Sequence, residues 1–341
     1  MKKLSVYFIS IIMATSVLFI SCKQNKETSK DAPVNVKKTT VNEFALLTTY
    51  LESNGNFINS KAVPTMIKSK EVHENIDNNK YKIIDIRSNE LFAKGHIKNA
   101  VNIPIKNMLN YFEGDIDPKA FEKIVIVCKS GQSASYTTGI MRIMGFDNVY
   151  AMKAGMSSWN KTFAKDYWLK NISNDFADKL DMVAVDKPVK GGHPILKTGK
   201  TTGETILRER AQNALNTSYK SLLVKAPALF KNPANYFIVN YWPESKYNEG
   251  HIPGSIQYTP KKSLGTKTEL YTLPIDNEIV TYCFTGQHAA FVTAYLNILG
   301  YNAKALAYGA NSFMNSEMKK KEGDWHVFSD KKIHDYKVTK D

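Results

Sequence analysis

Two of the three cysteines in this 341-residue chain stand in matching surroundings. Ile124-Val125-Ile126-Val127 is an apolar β-branched run that leads into Cys128. The small-residue loop Lys129-Ser130-Gly131-Gln132-Ser133 follows, and then a helical pattern that runs to Met144. Ile279-Val280-Thr281-Tyr282 leads in the same way into Cys283 and the loop Phe284-Thr285-Gly286-Gln287-His288. A thiol at a strand-to-helix turn faces loop N–H groups and the positive end of a helix. Both stabilise negative charge and favour a nucleophilic thiolate. The competing reading is a small hydrophobe buried at a strand end.

The duplication extends well beyond the cysteines. One constant offset carries Asp85 onto Asn240, Gly95-His96-Ile97 onto Gly250-His251-Ile252, and Gly145 onto Gly300. A single register over so long a segment indicates an internal repeat. The elements that must hold each loop are legible in the first copy. Tyr81 to Arg87 reads as a strand ending in charge, Glu90 to Ile97 as a short helix and glycine turn, and Ala100 to Pro104 and Asn148 to Met152 as further extended runs. Such alternation predicts an α/β unit with a parallel sheet. Before it, the region from Val41 to Asn78 predicts one or two amphipathic helices, most clearly over Val63 to Ile76.

The N-terminus reads as an export signal. Met1-Lys2-Lys3 precedes an apolar run from Leu4 to Ile20, short for a spanning helix. Leu18-Phe19-Ile20-Ser21-Cys22 resembles a bacterial lipobox, with Cys22 as the lipidated residue. The expectation is a lipoprotein signal over 1–21, a flexible tether over 22–45, and a location at the periplasm or cell surface. With Cys22 consumed, only Cys128 and Cys283 remain. A bridge between them would require equivalent loops of separate domains to face each other, and neither has a ligand partner at zinc spacing. Two free thiols in an exported chain point to reactivity; no metal and no cofactor are expected.

The net charge of +14 comes almost wholly from lysine; only Arg87, Arg142, Arg208 and Arg210 are arginines. Dispersed lysine without arginine clusters argues against nucleic acid as a partner and is compatible with small anionic substrates or anionic lipid.

Taken together, Asp85-Ile86-Arg87, Glu90, Gly95-His96-Ile97, Ala100, Asn102 to Pro104, Cys128-Lys129-Ser130-Gly131, Gly155 and Trp159 resemble the rhodanese (sulfurtransferase) domain. The resemblance recurs in the second half. It implies two tandem domains, each a doubly wound, mainly parallel sheet flanked by helices, over 60–170 and 204–318. Residues 171–203, with Pro188, Gly191-Gly192 and His193-Pro194, read as the linker, and 319–341 as a charged, solvated tail from which Trp325, Val327 and Phe328 can dock. It also implies that a loop cysteine carries sulfane sulfur as a persulfide. The sulfur would pass from an anionic donor of the thiosulfate or mercaptopyruvate class to a thiol or cyanide-like acceptor. Cys128 is then the stronger candidate for the catalytic thiol and Cys283 the second. The substrate cradle is expected from Lys129, Ser130, Gly131, Gln132 and Ser133, and from Phe284, Thr285, Gly286, Gln287 and His288. Asp85 and Arg87 would be a structural pair beside the site.

Departures weigh on the activity. Many single-domain relatives have arginine where Ser133 and His288 stand, and the second copy has Asn240-Tyr241-Trp242 in place of Asp85-Ile86-Arg87. His288 is a candidate proton donor or thiolate partner. A cysteine phosphatase would need an arginine fork six residues after the thiol, where Ala134 and Ala289 stand. The main rival is non-catalytic: a binding, persulfide-carrying or redox-sensing protein.

Overall fold

The computed structural model describes residues 41–321 and 323–340. The signal over 1–21, the lipidation site Cys22 and most of the tether lie outside the described residues.

Two five-stranded sheets repeat one another. In the first, β1 (Met66–Ile67), β2 (Tyr81–Asp85), β3 (Val101–Asn102), β4 (Lys123–Val127) and β5 (Val149–Met152) lie in the order β1-β5-β4-β2-β3, with every neighbouring pair parallel. In the second, β6 (Leu223–Val224), β7 (Phe237–Asn240), β8 (Ile256–Gln257), β9 (Ile279–Tyr282) and β10 (Ala303–Leu306) take the order β6-β10-β9-β7-β8, again all parallel. Parallel strands are covered on both faces and so are apolar throughout. Ile124, Val125, Ile126 and Val127 are fully buried in β4, as are Ile279, Val280 and Tyr282 in β9. Both cysteines follow the central strand of their sheet.

Four helices matter for the site: α1 (Glu43–Ser53), α2 (Gln132–Ile143), α3 (Gly203–Asn216) and α4 (Gln287–Ile298). In α2 and α4 ten of twelve residues are buried, because these two helices pack on each other as well as on their sheets. At their crossing Gly139 has no side chain to spare. A Cβ there would lie 3.2 Å from the Phe291 ring and 3.3 Å from Ala294 Cβ.

Three expectations are corrected. The tether does not reach residue 45: the Asn42 side chain accepts from Ala45 N at 3.0 Å and starts α1, which buries Phe44, Leu47 and Leu51. Val63 to Ile76 is not one helix. Proline at 64 offers no amide, Met66–Ile67 pairs with β5 instead, and helix forms only over Ser69–Glu74. The tail beyond 319 is not a solvated end. Trp325 and Phe328 are buried, His96 and Thr339 form an antiparallel bridge, and Trp159 Nε1 donates to Lys337 O at 2.9 Å. The linker has little regular structure but is packed down, with Asp181 bridged to His251 and Leu196 buried.

Candidate active site

Each cysteine loop is held open by two glycines. Gly131 takes φ +85° and Gly155 φ +56°, and a Cβ on Gly155 would come within 2.2 Å of Cys128 O. Gly286 (φ +72°) and Gly309 (φ +55°) repeat the arrangement around Cys283 O, again at 2.2 Å. Only glycine tolerates both the left-handed backbone and the approach. The cysteine carbonyls are pinned by Met156 N at 2.8 Å and Ala310 N at 3.0 Å, so each sulfur points into its own loop. Cys128 Sγ accepts from Gly131 N at 3.1 Å and Ala134 N at 3.3 Å; Cys283 Sγ accepts from Ala289 N at 3.4 Å. Both thiols are buried and free.

The surroundings of the two sulfurs differ. Burial pushes the Cys283 thiol up, and N–H groups of Ala289, Thr285, Gly286 and His288 offset this only in part. The loop amides were expected to lower it; desolvation wins. His288 cannot be its charged partner. Burial, reinforced by Lys261 and His326, pushes the imidazole down to about 3, so it is neutral at physiological pH. Its Nε2 is sealed from solvent with no hydrogen-bond partner among the described residues, and Tyr241 meets the ring edge-on at 4.9 Å.

Under the first loop lies a buried ion pair. Arg87 Nε donates to both Asp85 oxygens at 3.0 Å, and its Nη2 donates to Asp85 at 2.6 Å and to Gly95 O at 2.7 Å. In the second copy a neutral network replaces it. Asn240 Nδ2 donates to the Tyr282 hydroxyl at 2.6 Å, and Trp242 N donates to Asn240 Oδ1 at 3.1 Å. Trp242 then stacks on Phe284 at 4.8 Å, so the second loop rests on aromatic rings instead of a charge pair.

The other loop residues divide. Lys129 is exposed, with Nζ 5.6 Å from the Tyr167 ring, and Ser130 O accepts from Trp168 Nε1 at 2.9 Å. Ser133 is half-buried, and Thr285 accepts from Gln287 N at 3.4 Å. Gln132 and Gln287 turn away from their own thiols and cross to the opposite domain. Gln132 Oε1 accepts from Tyr308 N at 2.9 Å, and Gln287 Oε1 accepts from Ala154 N at 2.8 Å. Their expected role in the cradle gives way to a joint between domains. The equivalent loops do meet, through amides, while the thiols stay unbridged.

A cavity of about 500 Å³ reaches Cys283, Phe284, Thr285 and His288; Cys128 is not in its wall. It is ringed by Lys68 and Lys153 from the first domain and Lys246 and Lys261 from the second, with Asp324 and His326 from the tail. Reading the sequence for motifs missed these side chains, because nothing local marks them. The signal lies in topology: Lys68 and Lys153 follow β1 and β5, and ligands gather at the carboxyl ends of parallel strands.

A family model described as the rhodanese-like domain matches residues 68–162 and again 228–316. Among curated relatives, thiosulfate sulfurtransferase GlpE of Shewanella oneidensis is 32% identical over 84 residues, covering 24% of this chain and 79% of that protein. An uncharacterized protein of Buchnera aphidicola is 32% identical over 132 residues, 37% of this chain and 86% of its own. Among solved structures, SseA from Escherichia coli covers 72% of this chain and 98% of its own at 17% identity and TM-score 0.25. Matched twice over more than half its length, the chain belongs to the rhodanese-like family and carries two copies of the domain in tandem.

Proposed function

We propose that the protein is a sulfurtransferase that carries sulfane sulfur on a loop cysteine, with Cys283 as the thiol that is loaded. The observation that carries this reading is the lysine-ringed cavity with Cys283 in its wall. Family membership supports the chemistry in general terms. The Cys283 thiolate attacks the outer sulfur of an anionic donor of the thiosulfate or mercaptopyruvate class. A Cys–S–S⁻ persulfide forms as the donor's bond to that sulfur breaks, and the electron pair leaves with sulfite or with the pyruvate enolate. A thiolate or cyanide then attacks the terminal sulfur and returns the cysteine as thiolate, a two-step exchange. Loop N–H groups suit both anionic states, and the cavity lysines attract the donor. Cys128, which does not line that cavity, is not loaded in this scheme.

One observation favours a second reading. The raised Cys283 thiol lowers the thiolate fraction at neutral pH, which suits a slow persulfide carrier and not a rapidly turning-over enzyme. The N-terminal part of the proposal rests on sequence alone: Ser21-Cys22 after the apolar run supports a lipid-anchored protein facing the periplasm or cell exterior.

Intact-mass spectrometry after exposure to thiosulfate, and separately to mercaptopyruvate, tests the reading. The expected result is a gain of one sulfur that persists in Cys128→Ser, disappears in Cys283→Ser and is released by cyanide. No adduct from either donor overturns sulfur transfer for these donors. Loading without repeated turnover under excess cyanide selects the carrier.

A further inference from the structure

A second cavity, of about 320 Å³, adjoins the one at Cys283 and shares Lys68, Lys153, Thr285, Asp324 and His326 with it. Lys246 and Lys261 stand on the Cys283 side and Lys331 and Lys332 on the other. Among the described residues lining either cavity Asp324 is the one carboxylate, and it is engaged with His326 Nδ1 at 2.9 Å. Lys68, Lys153, Lys261 and Lys332 form no ion pair among the described residues.

Like charges gathered on a partly buried surface repel one another, and proteins ordinarily intersperse carboxylates among them. Lys153 bears this cost most directly. It is half-buried, and burial first, then Lys332 and Lys68, push its ammonium down, with only Asp324 acting the other way. A surface that sets so many lysines against a single carboxylate among the described residues is preorganised for an anion. Size narrows the ligand further. The larger cavity alone falls within the range of roughly 300–1,000 Å³ that holds drug-sized ligands, far more than a single small oxyanion occupies.

We propose that the two cavities form one groove for a multiply anionic thiol or persulfide. Its phosphate or carboxylate groups lie along Lys68, Lys153 and Lys332, and its sulfur reaches Cys283. The part played by Cys283 rests on the sulfur-transfer reading; the anion groove does not.

The test is calorimetric titration of the full chain, purified in detergent and carrying Cys283→Ser, with tripolyphosphate and with sulfate. Tripolyphosphate should bind at least ~10-fold more tightly than sulfate, and Lys153→Gln should weaken it by about 10-fold, as expected for loss of a charge in a focused field. Lys332→Gln, at an exposed position where folding is not at stake, should weaken it in the same direction. Equal, weak binding of both anions, or no response to either substitution, overturns the groove. Displacement of tripolyphosphate by coenzyme A assigns phosphate groups to the ligand, and displacement by glutathione assigns carboxylates; displacement by neither overturns the thiol assignment. Wild-type loading from thiosulfate is read separately. A chain that loads but does not prefer tripolyphosphate loses only this groove, and one that binds tripolyphosphate but never loads loses only the sulfur-transfer reading.

Discussion

Arg87 and Asp85 are each almost wholly buried, so the guanidinium depends on the carboxylate for its charge balance. Asp85→Asn should cost about 3–5 kcal/mol in urea unfolding, because it strands a buried cation. Asp85→Asn with Arg87→Met should recover much of that loss, as the neutral Asn240 and Trp242 pair indicates. His288 makes a pH-dependent contribution of known sign. Its ring is depressed to about 3 in the folded chain from 6.5, so between these values the unfolded chain binds the extra proton. Stability therefore rises with pH across that window, by up to about 1.4 kcal/mol per pH unit. His288→Gln should flatten this slope in denaturation measured from pH 4 to 6. The Cys283 thiol is raised, so its alkylation by iodoacetamide should be slow at neutral pH and accelerate above the usual thiol range of about 8.5. A rate at pH 7 equal to that of a free thiol would contradict the burial argument. At this scale the matching positions of the two loop cysteines and the Asp85–Arg87 pair were legible, since short-range pattern fixes them. The depressed His288 and the crossing glutamines were not, since their state is decided by residues far away in the chain.

Among the elements, α2 and α4 carry the contact between the domains, and Gly139 sets how closely they approach. Gly139→Val is compatible with helical backbone but forces its branches into Phe291 and Ala294. The expected loss is about 1–3 kcal/mol, seen as a lower midpoint in thermal unfolding, with overpacking outweighing any gain in helix propensity. The strands were legible because fully buried parallel strands are continuous apolar runs, as Ile124 to Val127 show. Val63 to Ile76 misled for the complementary reason. Its apolar spacing fits a helix, while Pro64 and the pairing of Met66 with Ala151 depend on the sheet edge that receives it. Periodicity reports a buried face without saying what buries it.

At the scale of the molecule, the last twenty residues decide how both domains are closed. Trp325 lies edge-on to Trp242 at 5.8 Å and to Phe284 at 5.5 Å, and Tyr336 lies edge-on to Trp159 at 5.0 Å. Trp325→Ala should cost about 3–5 kcal/mol and loosen the second loop, detectable as faster hydrogen exchange at Phe284 to His288. Docking of Trp325 and Phe328 was legible from their apolar character in a charged stretch, while the lysines around them hid how much of the tail is packed down. The joint between the domains is reciprocal in a way that the tail is not. Gln132 and Gln287 each satisfy a backbone N–H of the opposite unit, and Gly139 meets Ala294, its own counterpart in the repeat. Self-matching contacts of this kind define two-fold pairs of identical subunits. The fold thus has the form of a two-fold pair carried on one chain. The seam keeps this symmetry, whereas the ion pair under one loop and the aromatic stack under the other depart from it.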